Sequence, residues 1–165
     1  MSYAAVKAYP NMKSTVFDLP AVVNVADHFQ PSLEECPSRD NVAFVAGNFF
    51  QDDLPPADLY SMVTILHDWD EEKIDLLLNK IYNSLPPGGG ILIGEIILDD
   101  DKRGPWQGMI YSMVMLSFCT SGHERSGKEY EELLTKHGFV DVQYRQNPSP
   151  FLSWCSICKE ASVTV

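Results

Sequence analysis

Basic residues are scarce: 12 lysines and arginines stand against 23 aspartates and glutamates in 165 residues, for a formal net charge of −11. No stretch gathers the cations into a patch, which argues against a nucleic-acid backbone or an anionic membrane surface as partner. Long apolar runs are also missing. The longest, residues 91–98, is too short to span a bilayer and contains Glu95. Met1 is followed by a polar, mixed stretch rather than the apolar core of a secretory signal, so a cytoplasmic protein is expected. Only four cysteines occur, at positions 36, 119, 155 and 158, without the spacing of a small disulfide scaffold, and reduced thiols are the expectation. Cys155 and Cys158 form a C-x-x-C, but no second ligand pair accompanies them as a zinc site requires. In a strand-like run a separation of three also puts them on opposite faces. Repeats, linkers and low-complexity segments are absent.

What remains is a folding composition. Apolar residues make up 45% and charged residues 21% of the chain, which places it among globular proteins of one domain. Helical spacing over residues 1–12 ends at Pro10-Asn11. A short strand is expected over 14–17, a helix over 21–29, a strand over 42–45 and an apolar strand over 58–66. Asp70 is a good N-cap for a helix whose apolar face is Ile74, Leu77, Leu78 and Ile81, at i, i+3, i+4 and i+7. Pro86-Pro87-Gly88-Gly89-Gly90 is a stop and reads as a turn, since it precedes a strand and lacks the lysine of a phosphate loop. Residues 91–98 form the next strand, 106–118 and 127–137 two helices, and 140–144 and 151–157 two closing strands around an Asn147-Pro148 turn. Strands that read as apolar runs and alternate with helices imply a mostly parallel, doubly covered α/β sheet, with an antiparallel hairpin at one edge.

In open α/β sheets, ligands bind outside the carboxyl ends of the strands. Asp18, Asn48 and His67 stand at those ends, and Glu95 lies inside the fourth apolar run. An acid like Asp18, between a strand and a helix, accepts hydrogen bonds from ribose hydroxyls in nucleoside-binding sheets; alone it is better explained as a helix cap or a turn former. His67 follows an apolar strand and precedes Asp68-Trp69 and an N-cap, which places an imidazole, the natural base near neutral pH, where ligands dock. Glu95 needs a partner or a function, because an unpaired buried carboxylate costs several kcal/mol. Glu124, in Gly122-His123-Glu124-Arg125-Ser126, is by itself loop or cap.

In order, Thr15-Val16-Phe17-Asp18-Leu19-Pro20, Ala46-Gly47-Asn48-Phe49-Phe50, Ala57-Asp58-Leu59-Tyr60, Leu66-His67-Asp68-Trp69, Pro87-Gly88-Gly89 and Gly122-His123-Glu124-Arg125-Ser126 resemble the small-molecule O-methyltransferases. The animal, acetylserotonin O-methyltransferase-like branch is the most similar, through Leu98-Asp99-Asp100-Asp101-Lys102-Arg103-Gly104-Pro105. The resemblance implies a Rossmann-like fold that binds S-adenosylmethionine and methylates a hydroxyl of a small aromatic. It implies that Asp18 and Leu19 hold the ribose end, Asn48 and Phe49 flank the adenine, and Trp69 helps close the pocket. His67 would be the general base, with Glu95 and Glu124 holding its ring, and no metal is implied. Met109, Met113 and Val114 would wall the substrate pocket.

Against the family's pattern, a Gly-rich loop of D-x-G-x-G-x-G type is absent. Residues 1–165 are therefore expected to be a partial catalytic domain that lacks the first strand, that loop and an N-terminal domain through which the longer form would make a homodimer. Asn48 stands where the family usually has Asp, and Thr64 and Val114 stand where the acetylserotonin enzymes resemble one another in having Arg and Asn. Two other expectations compete: a truncated, non-catalytic form that binds no cofactor, and a nicotinamide-dependent oxidoreductase. The second has no place for the His-Asp-Trp and Gly-His-Glu-Arg segments.

Overall fold

The computed structural model describes residues 1–119 and 121–144, and the backbone of 154–155. The chain divides into two compact units, Met1–Pro55 and Pro56–Val165. In the first, α1 (Ser2–Ala8) buries Val6. β1 (Ser14–Asp18) runs parallel to β2 (Val42–Ala46), in a register from Ser14 opposite Val42 to Asp18 opposite Ala46. The helix expected over 21–29 is broken. α2 covers only Pro20–Val23, with proline at its start, and a 3-10 turn follows at Ala26–Phe29. Val22, Val23, Asn24 and Val25 are poor helix formers in a row, so the turn tightens instead of propagating.

In the second unit β3 (Leu59–Val63) lies parallel to β4 (Gly90–Ile96), with Leu59 opposite Gly90 and Val63 opposite Gly94. β5 (Trp154–Cys155) pairs antiparallel with β4 through Glu95 and Ile96. The described strands thus form a two-stranded sheet and a three-stranded sheet, parallel except at β5. β3 stops at Val63, short of the expected Leu66. Thr64 takes a φ of 51°, a left-handed conformation rare for a β-branched residue, and ends the extended run. β4 buries Ile91 and Ile93 completely on one face, while Leu92 on the other face is half-buried.

α3 (Glu71–Ser84) begins where Asp70 accepts the Lys73 amide at 2.9 Å, and it buries Ile74, Leu77, Leu78 and Ile81. The Pro86–Gly90 segment is a turn: Gly88 has a φ of 79° and the Gly89 amide bonds the Pro86 carbonyl. α4 (Trp106–Phe118) is apolar all round, yet only Gly108 is buried. A Cβ at Gly108 would lie 2.8 Å from Leu98, so glycine lets the helix approach the end of β4. α5 (Gly127–Lys136) opens with a capping box in which Ser126 and Glu129 each bond the other's amide. Its apolar face, Tyr130, Leu133 and Leu134, joins Phe139 in the core. Residues 140–144 are not a strand, and Asp141 has a φ of 56°. The Asn147-Pro148 turn, Cys158 and most of the strand expected over 151–157 lie outside the described residues. Among the described residues no helix is long and apolar enough to cross a membrane.

Candidate active site

The second unit gathers three of the expected residues. His67 sits in a 3-10 turn, Leu66–Asp68, rather than on the strand itself. The turn exists because Glu95, fully buried on β4, spends one oxygen on its backbone. Glu95 Oε1 accepts the amides of Ile65 and Leu66, both at 2.9 Å, at the point where the β3–β4 ladder has ended. A carboxylate in the apolar strand therefore substitutes for a ladder carbonyl.

The His67 side chain is 7% exposed, so it is enclosed rather than open at a rim. Its Nδ1 lies 2.7 Å from Glu124 Oε1 and 3.5 Å from Glu95 Oε2. A carboxylate at 2.7 Å fixes a hydrogen on Nδ1 and leaves the lone pair on Nε2. Nε2 faces Asp68 Oδ1 at 3.5 Å, and the Asp68 side chain is partly exposed. Cys119 Sγ donates to the same Asp68 oxygen at 3.5 Å. Burial opposes a charge on His67, but the Glu124 hydrogen bond and the charges of Glu95, Glu124 and Asp68 outweigh it and hold its pKa above the usual 6.5. Burial pushes Glu95 up to about 6, against the pull of His67 and the two amides. Glu95 Oε2 and Glu124 Oε2 accept no hydrogen bond from the described protein atoms. A cation would find one nitrogen and two carboxylates within 4.8 Å of one another here. Nδ1 and Glu95 Oε1 are already engaged, however, and the set reads as a His67–Glu124 hydrogen bond beside a Glu95 that holds the turn's backbone.

Trp69 follows the turn, with the Lys73 ammonium 4.6 Å from its ring centre. Met109, Met113 and Val114 are exposed on α4. That helix is tied to this set through Ser112, whose Oγ accepts the Glu124 amide at 3.2 Å. A polar depression lined by Glu71, His123, Arg125, Glu129, Glu132 and Lys136 includes none of its side chains.

The remaining candidates lie in the first unit, at the carboxyl ends of β1 and β2. The Asp18 carboxylate accepts the Leu19 amide at 2.7 Å, and the Gly47 amide bonds the Asp18 carbonyl at 2.8 Å. Asn48 is turned into its own loop: its Oδ1 accepts the Phe50 amide at 2.9 Å and its backbone amide bonds Asp52 at 2.8 Å. Phe49 packs edge to face against Phe50 at 4.6 Å.

A profile of the O-methyltransferase domain matches residues 1–140. The chain belongs to that family. It is 45% identical to the acetylserotonin O-methyltransferase of Gallus gallus over 139 residues, 84% of this chain and 38% of the relative. Its fold superposes on human N-acetylserotonin methyltransferase in complex with SAM with a TM-score of 0.83 at 38% identity, covering 96% of this chain and 43% of the other. An O-methyltransferase family 2 protein of Planctomyces limnophilus, in complex with apigenin, gives a TM-score of 0.85 at 29% identity, with 97% and 47% covered. The chain thus spans less than half the length of each of these relatives. The Rossmann-like α/β class expected from the sequence is the class of these O-methyltransferases.

Sequence reasoning missed Arg125, Gly122, Ser112 and Asp68 as neighbours of the His67–Glu124 pair. Arg125 donates through Nη1 to the Leu66 carbonyl at 3.4 Å and through Nη2 to Glu71 at 2.5 Å. A Cβ on Gly122 would lie 2.6 Å from the His67 carbonyl oxygen. The only signal for either was its place in the segment that carries Glu124.

Proposed function

We propose that residues 1–165 are part of the catalytic domain of a cytoplasmic, homodimeric S-adenosylmethionine-dependent O-methyltransferase that methylates a hydroxyl of a small aromatic, an acetylserotonin-like indole or a phenol. One observation carries the catalytic part of this reading: Glu124 at 2.7 Å fixes the His67 ring and leaves Nε2 to take a proton. The cofactor fits what the first unit offers, an Asp18 carboxylate suited to ribose hydroxyls at the end of a parallel strand, with Leu19 and Phe49 as apolar neighbours. Asn48 Oδ1 is occupied, so its contribution is an amide N–H or the loop itself. S-adenosylmethionine supplies a sulfonium methyl group open to attack by an oxygen nucleophile.

His67 Nε2 takes the proton of the acceptor hydroxyl as the oxygen attacks. A phenol has a pKa of about 10 against about 6.5 for histidine, so complete transfer is uphill by roughly 5 kcal/mol. The carboxylates at Nδ1 recover roughly 1–3 kcal/mol of that. The remainder comes from proton transfer concerted with attack and from holding the reactants together. Trp69 and the α4 residues Met109, Met113 and Val114 wall the acceptor. Thr64 and Val114, in place of Arg and Asn, tune which acceptor is taken.

Incubating a longer protein that contains these residues with methyl-labelled cofactor and a panel of aromatic alcohols tests this function. Label in an ether product supports it, and none with any acceptor refutes it. A second reading is favoured by the two separate sheets of the described strands: the 165 residues by themselves bind no cofactor. Calorimetry with S-adenosylhomocysteine decides, and tight binding rules that reading out.

A further inference from the structure

Burying a guanidinium is costly unless it is well bonded, and Arg125 is 3% exposed, the one lysine or arginine buried among the described residues. Its ion-pair partner, Glu71, has a side chain 60% exposed. A carboxylate that exposed is screened by solvent and offsets little of the cost, so the burial calls for another reason. That reason lies in what the segment grips. The Arg125 guanidinium bonds the Leu66 carbonyl, one residue before His67. Gly122, at the other end of the segment, lies against the His67 carbonyl. Glu124, between them, bonds the His67 ring. The segment is itself anchored, because the Leu98 amide bonds the Arg125 carbonyl at 3.0 Å and Leu98 bridges Ser126.

We propose that Arg125 is a positioning residue for His67. It links the start of α3, through Glu71, to the Leu66 carbonyl, and so holds the turn at the distance that keeps Nδ1 on Glu124. The inference rests on the proposed function only for what His67 does in turnover; the coupling of Arg125 to the imidazole is a property of this fold.

Among the described residues, the charged groups facing His67 are Asp68 on the Nε2 side, which accepts from Cys119, and Glu95 and Glu124 on the Nδ1 side. The Tyr130 hydroxyl of α5 feels Glu95, Arg125 and Glu124, while burial keeps it protonated. Two roles for Arg125 then predict opposite signs. If it acts only through its charge, removing it raises the His67 midpoint. If it positions the turn, removing it loosens Nδ1 from Glu124, and the midpoint falls.

The experiment is an NMR titration of ring-labelled histidines in the 165-residue chain, as wild type and as Arg125→Met, Arg125→Lys and Glu71→Gln. The expected result is a fall toward 6.5 in Arg125→Met, partial rescue in Arg125→Lys, and a smaller fall in Glu71→Gln. A midpoint that rises or stays fixed in Arg125→Met overturns the proposal. Should Arg125→Met unfold, Glu71→Gln decides, because it removes a largely exposed group and leaves the core intact; an unmoved midpoint there also overturns it. Failure of the wild-type protein to transfer methyl groups would refute the proposed function and leave this titration as it stands.

Discussion

Glu95 and Glu124 address the same nitrogen of His67, Nδ1, from 3.5 Å and 2.7 Å, but only Glu124 is within hydrogen-bond distance of it. Glu95 spends its other oxygen on the amides of Ile65 and Leu66, which shape the turn that carries the imidazole. The two acids therefore divide the work: Glu95 builds the turn and Glu124 orients the ring.

Glu124→Gln keeps an oxygen for Nδ1 but removes the charge, so the His67 midpoint falls toward 6.5. The sign for stability follows. The raised pKa of His67 contributes stability that is fully present below about 6.5 and is lost as pH rises through the folded value. Urea unfolding at pH 5.5 and 8.5 will show a smaller difference for the variant than for the wild type; equal differences contradict the assignment.

Glu95 titrates near 6 rather than 4.5 because it is buried. An acid with a raised pKa stabilises the fold below its unfolded value and loses that contribution as pH rises through the folded one. Glu95→Gln can still accept the two amides and has no proton to lose. Between pH 4.5 and 7 the variant gains on the wild type by about 2 kcal/mol, measured as the change in urea midpoints. Parallel pH profiles would contradict this.

Gly122→Ala places a Cβ 2.6 Å from the His67 carbonyl and 2.8 Å from Cys119 Cβ. The loop must shift, at a cost of about 1–3 kcal/mol, and the shift carries Glu124 away from the ring. Thermal unfolding reports the first effect, and the His67 midpoint, falling toward 6.5, reports the second.

Asp70→Ala removes the side-chain acceptor from the Lys73 amide at the start of α3. The expected cost is about 1 kcal/mol, with Asp70→Asn close to wild type. A thermal melt distinguishes the two; equal losses would mean that the charge, not the cap, matters.

Much of this architecture was legible from local signals. The α3 cap and apolar face, the α4 bounds and the turn at Pro86–Gly90 each follow from residues a few positions apart. What was not legible depends on distant partners. β3 ends at Val63 because a carboxylate 30 residues away takes the next amides. The expected helix over 21–29 yields to a run of poor helix formers that apolar spacing alone concealed. His67, Glu95 and Glu124 stood out through residue type and setting, whereas Arg125 did not, since its reason is a carbonyl 59 residues earlier. Nor did the apolar character of α4 predict exposure: Met109, Met113 and Val114 remain on the surface.

The central claim is that His67 accepts the proton of the acceptor hydroxyl. Steady-state methyl transfer by a longer protein containing these residues, compared with its His67→Ala variant, tests it most directly. The account predicts a fall in kcat of about 10²–10⁴-fold with the affinity for S-adenosylhomocysteine unchanged. Turnover equal to that of the unaltered enzyme would contradict it.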